Sequence, residues 1–386
     1  MVLSDRGLYV HIPFCVSRCD YCAFATWAGA DDRVEAYVDA VVAELKSRRS
    51  KGEIRSPSSL YFGGGTPSLI PARHIARIVQ EAGVRDGAEV TIECNPESTT
   101  LDKLEIYRDC GVNRISFGLQ SFSKEVLESL GRFHDPGDIY SAVDAIGEAG
   151  FENYSVDLIY GAAAESLSTL EQTVQKVLEL SPAPVHVSAY ALTVEQNTPL
   201  ARDPRRHPDE DFQADAYRLV DSMLTAAGMD WYEISNWAKP DSFSRHNWNY
   251  WMQGEYAGLG CSAHSHMESR RSWNVFNLNR YISAVNENSS AVAGSEEVAG
   301  LNRIGEALEL LVRTSVGVPT HAISDFDEIG FLCSDSDGIT TLSLEGRLLA
   351  NQVAIRLDPA RVTSEQLSGL QKRRPRVIQG LENESR

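Results

Sequence analysis

Three cysteines near the N-terminus have the spacing of an iron–sulfur loop. Cys15, Cys19 and Cys22 form a C-x3-C-x2-C pattern. Three thiolates on one short loop can bind three irons of a 4Fe-4S cube, whereas clusters that only transfer electrons usually have four cysteine ligands. The pattern therefore favours a 4Fe-4S cluster with one iron open, where an outside ligand binds and reacts.

A partial zinc site is the alternative interpretation of the same cysteines. Structural zinc takes four Cys or His ligands, and His11 could be the fourth. Zinc ligands usually come as separated pairs, however, and the sequence has no second C-x2-C motif. The cluster is therefore the preferred interpretation.

Composition limits the function classes and the compartment. The 386 residues include 36 basic and 54 acidic ones, a formal net charge of -18, which argues against a broad nucleic-acid surface. No apolar run is long enough to span a bilayer, and residues 1–5 lack the basic start and apolar core of a signal peptide. The seven cysteines do not form a disulfide pattern, so we expect a cytoplasmic protein.

Short β-type segments alternate with amphipathic helical segments in the first part of the chain. The predicted strands are Leu8–Ile12, Ser59–Gly63, Val90–Cys94, Arg114–Leu119, Tyr154–Tyr160 and Val185–Ala191. The predicted helices are Asp32–Arg49, Pro71–Ala82, Leu101–Cys110, Lys124–Leu130, Pro136–Ala149 and Ser168–Leu180. Strands separated by helices imply right-handed βαβ units and a parallel sheet. We predict an α/β fold in which residues 1–240 form a partial (β/α)6 TIM-like barrel, with ligands at the carboxyl ends of its strands.

A second, smaller domain is predicted for residues 241–386. Its helices are predicted at Asn302–Arg313, Thr320–Phe326 and Glu345–Leu357, with a short hairpin strand in residues 338–344. Helices followed by a small hairpin are typical of a winged-helix-like α+β module. Residues 371–386 have the character of a frayed, charged tail.

A glycine run follows the second predicted strand. Gly63, Gly64 and Gly65 precede Thr66 and Pro67. Three glycines at a strand end let a ligand approach the backbone because no Cβ stands in the way. A plain tight turn is the alternative.

Polar residues occupy other strand ends. Glu93 and Gln120 close two predicted strands, Arg132 follows soon after Gln120, and Asp157 lies within an apolar strand, where a carboxylate is costly to bury unless it is paired. Each could instead be an internal salt bridge or cap. Their recurrence at successive strand ends favours one shared polar site.

These motifs, in this order, resemble the radical S-adenosylmethionine (SAM) superfamily. They are Tyr9-Val-His-Ile-Pro, the three-cysteine loop, Gly63-Gly-Gly-Thr-Pro, Ile92-Glu-Cys-Asn-Pro, Arg114-Ile-Ser-Phe-Gly-Leu-Gln-Ser and Leu158-Ile-Tyr-Gly. More narrowly, the chain resembles the HemW-type heme chaperones, which are grouped with the oxygen-independent coproporphyrinogen III oxidases. The resemblance implies a radical SAM barrel and a 4Fe-4S cluster whose open iron is chelated by the amino and carboxylate groups of SAM.

The resemblance assigns residues to this cofactor pair. Cys15, Cys19 and Cys22 match the cluster ligands. The positions that match SAM contacts are Tyr9, Tyr21, Gly64, Gly65, Thr66, Glu93, Gln120, Arg132, Asp157 and Ala191. Arg132 could pair with the methionine carboxylate through its planar fork, and Gln120 and Asp157 suit ribose hydroxyls.

Two differences separate the chain from the oxidases of this group. The resemblance gives those enzymes a C-x3-C-x2-C-x-C pattern, with a fourth cysteine at the position where this chain has Phe24. The oxidases also carry a long segment ahead of the cysteine loop, whereas fourteen residues precede Cys15 here. Both differences favour the chaperone branch.

A second motif points to heme. Residues His246, Asn247, Tyr250 and Trp251 match the H-N-x-x-Y-W pattern that is associated with heme binding in the chaperone branch. Histidine is a common axial ligand of heme iron, and aromatic rings offer a flat apolar surface to a porphyrin. The alternative is a buried aromatic cluster that joins the two domains. Rival ligands are His264, His266 and Cys261.

The leading hypothesis is a heme chaperone that carries a cluster and SAM and hands heme to client hemoproteins such as respiratory enzymes. A homodimer and transient membrane contact are compatible with it. The alternatives are a coproporphyrinogen III oxidase, which would oxidise porphyrinogen propionates, and a radical SAM enzyme with another substrate.

Overall fold

The computed structural model describes residues 6–375, and most of its strands join one sheet. The strands are β1 Gly7–Ile12, β2 Phe14–Cys15, β3 Trp27–Ala28, β4 Ser59–Gly64, β5 Glu89–Cys94, β6 Arg114–Gln120, β7 Tyr154–Tyr160, β8 His186–Ala191, β9 Asp230–Glu233, β10 Asn236–Ala238, β11 Tyr256–Leu259, β12 His264–Met267, β13 Arg270–Asn274, β14 Val292–Glu297, β15 Val318–Pro319, β16 Cys333–Ser336 and β17 Ile339–Leu342. The helices are α1 Val34–Ser50, α2 Ala72–Ala82, α3 Leu101–Asp109, α4 Lys124–Ser129, α5 Pro136–Glu148, α6 Leu167–Leu178, α7 Glu210–Ala226, α8 Arg245–Trp251, α9 Leu278–Asn286, α10 Gly300–Leu311, α11 Phe326–Ile329, α12 Leu344–Leu348, α13 Ala350–Ala354 and α14 Ser364–Leu370.

The central sheet has twelve strands in the order β14-β13-β12-β11-β1-β4-β5-β6-β7-β8-β10-β9. The strands from β11 to β8 in this order pair in parallel, and the remaining pairs are antiparallel. All seven residues of β6 are buried, as expected of a parallel strand covered on both faces. The six predicted strands and the partial barrel are confirmed.

The sheet extends further than the sequence indicated. β11 adds a parallel strand beside β1, with Gly7 opposite Tyr256, and β12 to β14 continue from it as an antiparallel meander. The boundary predicted at residue 240 stays a prediction: strands from beyond it join the barrel sheet, and a second hydrophobic core unites Tyr232 and Trp248 with Leu308 and Val353.

The C-terminal segment differs from its prediction in two places. The single helix expected at Glu345–Leu357 is wrong, because the chain breaks at Leu349 between α12 and α13, and α14 follows. The helix expected at Thr320–Phe326 is also wrong: residues Thr320–Ala322 form one 3-10 turn, and α11 begins at Phe326. β17 confirms the hairpin strand and pairs with β15 and β16. The winged-helix-like character stays a prediction, and most of the predicted tail, residues 376–386, lies outside the described residues.

Among the helices of residues 6–375, none is both long and apolar enough to cross a membrane.

Candidate functional site

A cavity of about 810 Å³ opens at the carboxyl ends of the parallel strands. Its wall includes all three cysteines of the N-terminal loop. Nine of the residues predicted to contact SAM also line it: Tyr21, Gly64, Gly65, Thr66, Glu93, Gln120, Arg132, Asp157 and Ala191. Residues from seven segments of the chain thus converge on one space.

The cysteine loop lies between β2 and β3. These short strands pair in parallel, with Phe14 opposite Trp27 and Cys15 opposite Ala28, so both ends of the loop are held together. Cys22 closes a turn with its N–H on the Cys19 carbonyl at 3.2 Å. Burial raises the pKa of the Cys15 thiol to about 11, and Thr66 Oγ1 donates a 3.8 Å hydrogen bond to its sulfur.

His11 is not available as a fourth ligand. Its Nε2 is hydrogen-bonded to the Ala25 carbonyl at 2.8 Å and its Nδ1 to Tyr9 Oη at 3.1 Å. Burial lowers the pKa of His11, so the ring is neutral and both nitrogens are engaged. The zinc interpretation therefore loses its proposed fourth ligand.

The glycine run joins the cysteine loop to the sheet. Gly65 N–H donates to the Ile12 carbonyl and Thr66 N–H to the Phe14 carbonyl, both at 2.8 Å. A Cβ on Gly65 would lie 2.7 Å from the Phe14 oxygen, and a Cβ on Gly64, whose φ is +115°, would collide with the His11 ring. Glycine is thus required here by close approach of the backbone.

Glu93 is half-buried beneath the glycine run. Its carboxylate accepts hydrogen bonds from Tyr61 Oη at 2.9 Å and from Gly64 N–H at 3.1 Å. Burial raises the pKa of Glu93 to about 7, against the opposing effect of the Tyr61 hydrogen bond. Glu93 can therefore present either a charged or a neutral carboxyl group to the cavity near neutral pH.

Arg132 connects three parts of the wall. Its Nη1 donates to Asn95 Oδ1 at 3.1 Å and its Nη2 to Tyr21 Oη at 3.3 Å, while Asn95 Nδ2 donates to Thr66 Oγ1 at 3.1 Å. Its Nε is buried without a partner among the described residues. The guanidinium thus retains unused donor capacity at the cavity.

Gln120 and Asp157 complete the polar wall. Gln120 has a positive φ of 66° where the register of β6 against β7 shifts, and its buried Oε1 has no partner within residues 6–375. Asp157 accepts a hydrogen bond from Ser116 Oγ at 3.1 Å. Burial raises the pKa of Asp157, opposed by hydrogen bonds from Ser188 and Ser116. These groups can accept hydrogen bonds from hydroxyl or amino groups of a ligand.

Comparison with known proteins places this site in a family. Residues 9–177 match the model of the Radical SAM superfamily. The heme chaperone HemW of Mycobacterium tuberculosis is 37% identical to this chain over 368 residues, which cover 90% of this chain and 93% of that protein. The chain belongs to the HemW family. A further HemW relative, from Bacillus subtilis, is 31% identical over 373 residues, covering 90% of this chain and 98% of that protein.

A solved structure shows the same fold as this HemW family member. The chain superposes on coproporphyrinogen III oxidase (HemN) from Escherichia coli with a TM-score of 0.80, over 92% of this chain and 90% of that chain. The two sequences are 23% identical, so the likeness shows the fold alone. It confirms the α/β radical SAM barrel.

Membership of the radical SAM superfamily implies a 4Fe-4S cluster and SAM, and the cavity of this HemW family member fits both. Three thiols on one loop line its wall beside the unpartnered polar atoms of Gln120 and Arg132. Within residues 6–375, no three His, Cys, Asp or Glu side chains converge as the ligands of a single metal ion do. When bound, such a cluster supplies an electron to SAM.

Tyr9, the remaining predicted SAM contact, does not line the cavity. It lies behind the wall, where its ring stacks on Tyr61 at a centroid distance of 6.3 Å. Burial raises the pKa of Tyr9 well above its usual value. The structure therefore places Tyr9 as a support of Tyr61.

The residues predicted to bind heme lie on α8, where both ring nitrogens of His246 are engaged. Its side chain is fully buried, with Nδ1 hydrogen-bonded to Ser59 Oγ at 2.8 Å and Nε2 to Tyr250 Oη at 2.7 Å. Burial lowers the pKa of His246 to about 3. In this conformation neither nitrogen is free for iron, so ligation by His246 would require α8 to move.

The other motif residues have separate surroundings. Asn247 lines the cavity, and Trp251 hydrogen-bonds the buried Glu233 carboxyl group. Among the rival ligands, Cys261 is buried against Tyr37, and His266 Nδ1 is engaged by the Gly254 carbonyl at 3.3 Å. The His264 side chain is exposed and stacks on Trp273.

Sequence reasoning missed two contributors to the site. Asn95 bridges Thr66 and Arg132, and Tyr61 supports Glu93. Asn95 could have been found, because it directly follows the strand that ends at Cys94. Tyr61 carries no local signal, since an aromatic residue in a strand is usually core.

Proposed function

We propose that this protein is a cytoplasmic heme chaperone, which binds heme and transfers it to client hemoproteins such as respiratory enzymes. The observation that carries the proposal is the 37% identity to a protein named a heme chaperone over 90% of this chain. An alignment over 90% of this chain spans α8, and the Radical SAM match over residues 9–177 spans the cysteine loop. The proposed carrier therefore combines a cluster cavity with a heme-binding surface.

Within the cavity we assign roles by chemistry. Cys15, Cys19 and Cys22 would hold the cluster. Arg132, with its unpartnered Nε, is suited to the carboxylate of SAM, because a guanidinium forms strong charge-assisted hydrogen bonds with carboxylates. Gly64, Gly65 and Thr66 would meet the methionine end and Glu93 its amino group. Gln120 and Asp157 would accept from the ribose hydroxyls, with Tyr21 and Ala191 on the remaining walls.

For heme we propose the α8 motif, His246, Asn247, Tyr250 and Trp251. Because His246 is held by Ser59 and Tyr250, heme binding through its ring would have to break both hydrogen bonds. A heme titration of His246→Ala tests this directly. Unchanged heme affinity together with an unchanged heme spectrum would exclude His246 as the heme ligand, and His264 would be the next candidate.

The second candidate is the oxidase, a protein of the same fold. Phe24 opposes it, because it stands where the oxidases have a fourth cysteine and its side chain is 66% exposed at the cavity wall. A single preparation separates the candidates. After anaerobic cluster reconstitution, we expect stoichiometric heme binding and no protoporphyrinogen from coproporphyrinogen III and SAM. Porphyrinogen turnover without heme binding would reverse the assignment.

Two partner interactions follow from the proposed role. We propose a homodimer that forms with the cluster and brief membrane contact during delivery to membrane-bound clients. Sedimentation of the apo and reconstituted protein tests the first, and flotation with vesicles bearing an apo-client tests the second. A monomer in both the apo and the reconstituted state would rule out the homodimer. Failure to float with the vesicles would rule out the membrane contact.

A further inference from the structure

Asp20 lies between two of the three cysteines and is held from three directions. Its N–H donates to the Leu130 carbonyl at 3.2 Å, and its carbonyl accepts from Leu200 N–H at 2.9 Å. Its carboxylate accepts from Arg206 Nη2 at 2.7 Å. Cys19 and Cys22 belong to no strand or helix, and these contacts, together with the Arg132–Tyr21 hydrogen bond, tie their part of the loop to the barrel.

Arg206 joins the loop to two other segments. The same Nη2 that binds Asp20 also donates to the carbonyl of Ser129, the last residue of α4, at 2.6 Å. The Arg206 and Asp20 side chains are 27% and 30% exposed, so the pair is partly shielded from water. One guanidinium therefore links the cysteine loop, the end of α4 and the segment that follows β8.

Gly131 allows the close approach on which this clamp depends. Its φ is +71°, and a Cβ there would lie 2.9 Å from Asp20 N and 3.0 Å from Asp20 Cγ. The next residue is Arg132, which reaches back to Tyr21 in the same loop. The loop and the turn that carries Arg132 are thus packed as one unit.

We propose that Asp20 and Arg206 are positioning residues that hold Cys19 and Cys22 in place for the cluster. The inference rests on the proposed cluster site. Three thiolates bind a cluster well only if the loop that carries them is already ordered, since ordering a free loop costs conformational entropy. The clamp supplies that order from outside the loop.

Cluster retention tests the clamp without any enzyme activity. Wild type, Arg206→Ala, Arg206→Lys and Arg205→Ala are reconstituted anaerobically, and iron and sulfide per chain are measured. The rate at which an iron chelator bleaches each cluster is then followed. Arg205 is the matched control, because it neighbours Arg206 but is 89% exposed and pairs only with Asp203 among the contacts described.

We expect Arg206→Ala to lose its cluster about two- to fivefold faster than wild type, the effect of a partly shielded ion pair. Arg206→Lys should recover part of the loss, and Arg205→Ala should match wild type. Equal rates in wild type and Arg206→Ala would overturn the clamp, and so would equal losses in the two alanine variants.

Failure of the cluster site, failure of the clamp and misfolding of a variant give different results. A wild type that assembles no cluster would overturn the cluster site itself, and the clamp with it. Should Arg206→Ala fail to fold by circular dichroism, Asp20→Asn replaces it; this variant removes the charge of the same pair. Faster loss in Asp20→Asn then supports the clamp, and wild-type retention overturns it.

Discussion

Tyr61 and His246 stack in the barrel with ring centroids 5.2 Å apart and planes 22° apart. The hydroxyl of Tyr61 also donates to Glu93 in the cavity wall at 2.9 Å. One tyrosine therefore contacts both the proposed SAM site and the helix with the proposed heme motif. The two sites are neighbours in the fold although their motifs are far apart in sequence.

Cys22→Ser should abolish the cluster, because a serine hydroxyl does not replace a thiolate ligand of iron. Iron and sulfide per chain after reconstitution measure the effect. Cys110→Ser is the control: this thiol lies at the end of α3, bonded to the Tyr107 carbonyl at 3.1 Å, away from the cavity. Iron loss in the control alone would contradict the assignment.

Arg132→Ala should weaken SAM binding by about 10- to 100-fold, the range for losing charge-assisted hydrogen bonds. SAM is titrated into reconstituted protein and its Kd is measured. Arg77→Ala serves as the control, since Arg77 pairs with Asp39 on the surface. An unchanged Kd in Arg132→Ala would remove Arg132 from the site.

Glu89→Gln should destabilise the fold through α8. The buried carboxylate of Glu89 accepts the N–H groups of Arg245 and His246 at 3.0 and 2.9 Å, the first turn of the helix. An amide can accept only one of them well, so we expect a loss of about 1–3 kcal/mol in urea unfolding. Glu125→Gln, at an exposed helix start, should leave the midpoint unchanged. Equal midpoints for wild type and Glu89→Gln would contradict the capping role.

His246 should make stability depend on pH. Burial lowers its pKa from 6.5 to about 3, so below pH 6.5 the unfolded chain binds a proton that the folded chain does not. The folded state is therefore fully stable at neutral pH and loses stability as the pH falls. Against His246→Gln, wild type should lose about 1.4 kcal/mol per pH unit between pH 6 and pH 4. Parallel stability curves for the two proteins would show that the ring is protonated in the fold.

The sequence predicted those parts of the fold that rest on local signals. The six barrel strands are apolar runs bounded by helices, and the cavity residues stand at their ends, where parallel topology brings them together. β11 and β12 were not predicted, because each strand has four residues, too few to show a periodic hydrophobic pattern. β11 is placed by its pairing with β1 and β12 by its pairing with β11, and no local pattern reports either.

The burial of the His246 ring and its hydrogen bonds could not be predicted from the sequence either. An H-N-x-x-Y-W motif suggests an available ligand, whereas the structure engages the ring with Ser59, 187 positions earlier in the chain, and with Tyr250. When residues far away in the chain bury a side chain, the local sequence around that side chain gives no sign of it. The same holds for Arg206, whose partner Asp20 lies 186 positions away.

A heme chaperone must pass its heme to an apo-hemoprotein, and this transfer can be measured. The reconstituted protein, loaded with one heme per chain, is mixed with an apo-hemoprotein, and the heme absorbance spectra of the two proteins are followed over time. We expect heme to move to the apo-hemoprotein faster than it escapes to an inert heme scavenger present at the same concentration. Transfer no faster than escape to the scavenger, or an inability to bind heme at all, would contradict a chaperone function.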